Sequence, residues 1–457
     1  MGMSSGGRGL RISRRKVLKL VGATGLGSTL AASGVHLLPA LARAAAAPAK
    51  PFAGKTVRIM FIGNPFWDAV KKMAPAFEDG TGIKLAIETL GFSVLLQRLD
   101  LELATGGGDY DITQMVQILI GRTVKAGWAT DLMPFIKRDQ FDLADFVPGT
   151  IRPFSHGGGL YALPWMPDAM AVVYRKDLFE KAGVSKFPET FDELMAAAPK
   201  IHTRDAVFFL SENTWHWIWP LFLQSYGGNF FADPPDDLTP TFNTPQAVTS
   251  AEFLVEMMTK YGLPNAVNID IPGSQAAFQQ GKAAVHVGGL GVIGLATDKS
   301  KSLVADRITF AHVPKGPAGW FPQLAMHGYM IPAGSKQKEA AWEVIKWLTS
   351  IEVETAMVKE IGRVAQSRYS ILRDPALKQQ FTWGGADVGT ILQEAMYRPG
   401  AGYMAYRMVP PFRPVGARIV VAFGEMLTRQ RSVKDALDAL QRDAVGILTQ
   451  AGYPPRR

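Results

Sequence analysis

Apolar and polar residues alternate over 56–62, which predicts a strand, and Gly63-Asn64-Pro65 ends it. Phe66, Trp67, Val70, Met73, Ala74 and Phe77 then recur at helical spacing, with Gly80 and Gly82 as natural stops. Ile83, Leu85 and Ile87 alternate with Lys84, Ala86 and Glu88, a second strand. A helix over 94–104, the turn Gly106-Gly107-Gly108 and a strand over 110–115 follow. Strands separated by helices imply a parallel sheet with right-handed crossovers.

The pattern restarts after Trp165, with a strand over 170–174 and a helix over 191–198. Thr190 and Glu193 form the capping box of that helix. Helices are predicted over 249–261, 275–280, 339–348 and 433–448, and a strand over 283–287. The proline-rich, acidic stretch 231–245 reads as an exposed loop.

Composition changes this picture mainly at the N-terminus. Ser13-Arg14-Arg15-Lys16 before a short, Gly- and Ala-diluted apolar run reads as a twin-arginine export signal, cut near Ala44. Residues 1–44 hold seven basic and no acidic residues. The remainder carries 42 basic against 40 acidic residues, so no nucleic-acid footprint is expected. Residues 45–53 are expected to be a flexible leader. The chain has no cysteine, which excludes disulfides, thiolate metal sites and a lipidated N-terminal cysteine. An exported chain with no lipid anchor is expected in a periplasm. About 410 mature residues exceed one ordinary core, so two domains are expected.

Several blocks, in order, carry a resemblance. They include Asn64-Pro65-Phe66-Trp67-Asp68, Gly108-Asp109-Tyr110-Asp111-Ile112, Leu163-Pro164-Trp165, Tyr174-Arg175-Lys176-Asp177-Leu178-Phe179, Phe278-Gln279-Gln280-Gly281-Lys282 and Ile331-Pro332-Ala333-Gly334-Ser335. Over roughly 55–450 the chain resembles the extracellular solute-binding proteins of ABC importers, the large sugar-binding family. The resemblance implies an α/β fold, a two-lobed periplasmic-binding-protein-like (type II) clamshell. Each lobe is then a mostly parallel sheet flanked by helices, with several hinge crossovers. It places lobe 1 at 54–164 plus 328–372, and lobe 2 at 165–327 plus 373–457. It implies a monomer without cofactor or metal that holds a sugar, oligosaccharide or polyol between its lobes and delivers it, unaltered, to the permease.

A carbohydrate cleft should combine aromatic rings with polar side chains. Trp67 and Asn64 lie just beyond a strand's C-terminal end, where ligands collect in α/β sheets. Trp165 follows the first lobe crossing. Trp215 and Trp217 belong to the densest aromatic cluster, Trp215-His216-Trp217-Ile218-Trp219. The family often carries an acidic or aromatic residue after the strand at 111–115; here Gln114 and Gln117 stand instead. His327 and Tyr329 fall where the chain returns to lobe 1. Gly288 and Gly289 begin a glycine-rich cleft loop, and Trp320, Arg363 and Phe412 complete the candidates. For a glycerophosphate ester, the alternative solute, Arg363 or Arg407 would face the anion.

Gly289-Leu290-Gly291-Val292-Ile293-Gly294 also fits a dinucleotide fingerprint, the basis of a remote alternative, an exported NAD-dependent oxidoreductase. That fingerprint normally opens its domain, whereas here a long α/β stretch precedes it.

Overall fold

The computed structural model describes residues 50–456. The expected export signal, its expected cleavage site and residues 45–49 lie outside the described residues. Residues 50–53, expected as leader, instead form a turn in which Ala53 N donates to Lys50 O at 3.1 Å. Phe52 packs against the core there.

Eight strands build the central sheet: β1 (Thr56–Ile62), β2 (Lys84–Leu90), β3 (Ile112–Val116), β4 (Leu163–Arg175), β5 (Val207–Leu210), β6 (Ala283–Gly289), β7 (Ile308–Ala311) and β8 (Leu324–Met330). Their order is β2-β1-β3-β8-β4-β6-β5, with β7 also paired to β4. β1 runs parallel to β2 and β3, and β6 runs parallel to β5. The contacts of β4 with β8, β6 and β7 are antiparallel, as is β8 with β3.

β4 is the long strand of this α/β fold, and it changes partner along its length. Its first half, Leu163 to Ala169, pairs with β8. From Met170 onward its partner is β6, and then β7. The sequence predicted only 170–174 as strand, because Pro164 and Pro167 interrupt the pattern and proline cannot donate to a ladder. The structure absorbs them with a bulge: Gly328 faces Pro164 and His327 faces Met166, leaving Trp165 without a partner in the register.

Local chemistry explains the helix ends. The helix Pro65–Thr81 begins where Asn64 Oδ1 accepts from Phe66 N at 2.9 Å. It stops at Gly82, whose φ of 80° favours a residue without Cβ. The helix Phe191–Ile201 carries the Thr190/Glu193 capping box. The helix Trp215–Ser225 is buried almost all round. The stretch expected as a loop contains a hairpin, Phe231–Asp233 against Asp237–Pro240. Burial of Phe231 and Phe242 holds it down, as Phe242 packs near Trp219.

Gly289 ends β6 against Asp168, and a Cβ there would sit 2.2 Å from the Asp168 carboxylate. Gly289→Ala should displace that carboxylate and cost about 1–3 kcal/mol in urea denaturation. Gly294→Ala, where an added Cβ meets nothing within 4 Å, should give a denaturation midpoint close to wild type.

Candidate functional site

The ends of β1, β4 and β8 and the helix Pro65–Thr81 bring an aromatic group together. Trp67 lies 4.7 Å from Phe61 and 6.0 Å from Trp165, ring centroid to ring centroid. Tyr329 lies 5.4 Å from Phe61 and 6.3 Å from Trp165. Trp67, Trp165 and Tyr329 are buried, and neither indole N–H nor the Tyr329 hydroxyl has a hydrogen-bond partner. The sequence placed the two indoles as open stacking faces; packing on Phe61 and Phe66 encloses them in this structure. Arg363 lies over Phe66, pairs with buried Glu354 at 3.3 Å and donates to the carbonyl of Trp165. Its guanidinium is thereby committed to protein groups.

Beside this group Gln114 Nε2 meets His327 Nδ1 at 2.9 Å, while Gln114 Oε1 accepts from Ile62 N at 3.1 Å. The amide therefore donates to Nδ1, which puts the imidazole proton on Nε2. Burial and then the Arg407 charge pull His327 down to about 4, so it is neutral at pH 7. Phe92, 40% exposed at the start of the helix Phe92–Ala104, meets the His327 ring edge-on at 6.4 Å.

Arg407 is the centre of charge. It is buried in the turn Ala405–Met408, lies 4.5 Å over the ring of Trp217 and leaves Nη2 unpartnered. Three groups from three elements feel it: Asp168 on β4, His216 on the helix Trp215–Ser225 and His327 on β8. Burial and Arg407 hold His216 at about 4, also neutral, with Nδ1 unpartnered. Asp168 accepts from Gly291 N at 2.7 Å. Its carboxyl is pushed up to about 7, first by burial and further by Glu212, against the Gly291 hydrogen bond and Arg407. Glu212 is buried, with Oε2 unpartnered and 3.8 Å from His286 Nε2.

The remaining candidates have other surroundings. Asn64 caps its helix, and Gln117 lines a small crevice with Arg152 and Met408. Trp215 stacks on Phe423 at 5.3 Å, a contact between helices. Phe412 packs on Tyr406 and Phe230. Trp320 lines a separate concavity of about 500 Å³ with Phe187, His312 and Glu394. Gly288 lies against Glu212 and Gly289 against Asp168. The Gly291 amide that a pyrophosphate would need is taken by Asp168.

Phe92, Asp168, Glu212 and His216 were not singled out from the sequence. Asp168 had one available signal: a lone acid within the run 163–174, otherwise apolar up to Tyr174. Among the described residues no group of three or more His, Asp or Glu is placed to hold a metal ion.

A two-lobed α/β fold, with donors and acceptors gathered beside the strand that changes partner, defines a binding protein for a small polar molecule. The chain belongs to the bacterial extracellular solute-binding protein family, whose profile matches residues 66–355. It is 27% identical over 430 residues to the mannitol-binding protein of Pseudomonas aeruginosa, covering 88% of this chain and 94% of that one. An Agrobacterium vitis ABC transporter solute-binding protein with bound D-mannitol superposes with a TM-score of 0.75 at 26% identity, over 88% of this chain and 100% of that one. One from Agrobacterium radiobacter in complex with ribitol gives 0.76 at 25% identity, over 86% and 99%.

Asp168 yields a pH prediction. Its folded value lies above that of an unfolded aspartate, so the stability it contributes is full below pH 3.8 and is lost as pH rises towards about 7. Asp168→Asn removes this titration. The melting temperature of the ligand-free variant should therefore gain on wild type between about pH 4 and about pH 8. A constant difference across that range would contradict burial as the cause.

Proposed function

We propose that this protein is the periplasmic receptor of an ABC importer and that its solute is an acyclic polyol. The observation that carries this reading is the convergence on Arg407. A guanidinium with a free N–H acts electrostatically on one acidic side chain and two neutral imidazoles, and the four come from separate elements. A polyol hydroxyl donates to a carboxylate and accepts from a guanidinium or an imidazole N–H, so it matches both kinds of partner. A glycerophosphate ester would bring a dianion beside Asp168 and Glu212, which opposes it.

The aromatic packing favours a chain over a ring. A pyranose needs an open aromatic face. Trp67 and Trp165 are enclosed, and one face of Trp217 is taken by Arg407. The relatives named for mannitol and solved with mannitol or ribitol agree with this choice. The protein reaches the periplasm by the twin-arginine route, acts as a monomer and hands its solute unaltered to a membrane permease. Hinge closure about β4 distinguishes the loaded from the empty form.

A thermal-shift screen over D-mannitol, ribitol, erythritol and maltose tests the reading. A polyol at about 100 times its Kd should add about 2.7 kcal/mol of stability. Arg407→Met should weaken that polyol about 10- to 100-fold by calorimetry, the value of one or two charge-assisted hydrogen bonds. A response to maltose alone would overturn the choice of solute.

A further inference from the structure

Arg407 does not hold its own position. Its Nε donates to the hydroxyl of Tyr406 at 3.2 Å, and that hydroxyl donates to Gln323 Oε1 at 2.7 Å. Gln323 Nε2 donates to Gln224 Oε1 at 2.7 Å and to the carbonyl of Phe321 at 3.0 Å. Gln224 Nε2 in turn donates to the carbonyl of Tyr403 at 2.8 Å. Gln323, Gln224, Tyr406 and Arg407 are all at most 3% exposed. Arginine only donates, so the Tyr406 oxygen must accept from it and pass its own proton onward. The direction of every bond in the chain follows, and both amides are fixed in orientation. Buried bonds aligned in one direction polarise and strengthen one another.

The other end of this relay lies at the lobe junction. The backbone carbonyl of Gln323 accepts from Met170 N at 2.8 Å. Met170 is where β4 changes partner: Ala169 pairs with Leu324 of β8, and Met170 pairs with Gly289 of β6. One residue thus grips the changeover with its backbone and the arginine relay with its side chain.

We propose that Gln323 is a positioning residue that ties Arg407 to the strand changeover, so that the relative rotation of the lobes and the placement of the guanidinium are coupled. A rotation about Ala169–Met170 moves the Gln323 backbone, and the amide carries Tyr406 and Arg407 with it. Arg407 is then presented to solute in one arrangement of the lobes and withdrawn in the other. This rests on the reading of Arg407 as a solute contact, and the test separates the two.

Gln323→Leu in the full chain cuts the relay without touching Arg407. The first readout needs no ligand: hydrogen exchange at the Arg407 Nε–H, followed by NMR on labelled protein. It should be protected in wild type and exchange at least tenfold faster in the variant. The second is D-mannitol affinity, expected to fall about tenfold in the variant and less than twofold when the same change is made on an Arg407→Met background. Unchanged exchange in a variant that melts like wild type would overturn the proposal, as would losses that multiply in the double variant. If Gln323→Leu does not fold, Tyr406→Phe replaces it. That change keeps the ring and removes the hydroxyl, and unaltered exchange at the Gln323 amide together with unaltered affinity would overturn the proposal. Wild-type protein that binds neither D-mannitol nor ribitol would sink the polyol reading alone, because the exchange measurement still decides the relay.

Discussion

One continuous strand, Leu163–Arg175, is the constraint on which this molecule is built. Its first half completes one set of strands and its second half completes another. The chain pays for this with two prolines, Pro164 and Pro167, inside a ladder, and the bulge at Trp165 accommodates the register. The carbonyl of Trp165 then takes a bond from Arg363, while buried Glu354 neutralises the guanidinium. Everything polar near the junction is measured from this strand. Asp168 sits on it, His327 faces Met166 across it, and Gly289 faces Met170.

Burial near that strand sets the electrostatics. Moving charges out of water is expensive, and buried ionic groups persist only when paired or hydrogen-bonded. The protein limits the cost by keeping His216 and His327 neutral and by raising Asp168 into the physiological range. Arg407 cannot be neutralised, so it is stacked on Trp217 and tied through Nε to Tyr406, with Nη2 left over. A buried N–H of a guanidinium without an acceptor costs about 1–3 kcal/mol. On the proposed reading, a solute oxygen supplied at that atom would recover the cost only in the bound form. Affinity and pairing are thus the same quantity seen from two sides.

The fold was largely legible because its signals are local. The Gly82 stop and the Thr190/Glu193 box each depend on a few adjacent residues, and each stands where the spacing put it. From the sequence only 170–174 reads as strand, because the ladder of β4 is completed by residues far along the chain, which override the two prolines. The hairpin at 231–240 was missed for a similar reason: its anchor is the burial of Phe231 and Phe242, not its turn chemistry. Site residues were harder still. Tryptophan number and position drew attention to Trp67, Trp165 and Trp215, yet whether a ring faces solvent depends on neighbours such as Phe61 and Phe423. Glu212 and His216 gave no pattern and Asp168 only a lone acid in an apolar run, since the charge that acts on Asp168 and His216 comes from Arg407, far along the chain.

Packing and recognition meet at the aromatic residues. In an open carbohydrate cleft, indole rings spend their faces on sugar. Here they spend them on each other and on arginines: Trp67 and Trp165 within their own group, Trp217 under Arg407, Phe66 under Arg363. Aromatic area used in this way stiffens the junction and orients the cations, and in the proposed reading recognition falls to hydrogen-bonding groups. Such groups read the sequence of hydroxyls along a chain better than the face of a ring. Of the large rings near the junction, Phe92 keeps substantial exposure, at the start of a helix and edge-on to His327. A flexible polyol loses rotational freedom on binding, which costs affinity. Fixed partners reduce the further cost of ordering the protein, and the amide orientations set by the Tyr406–Gln323–Gln224 relay are of that kind.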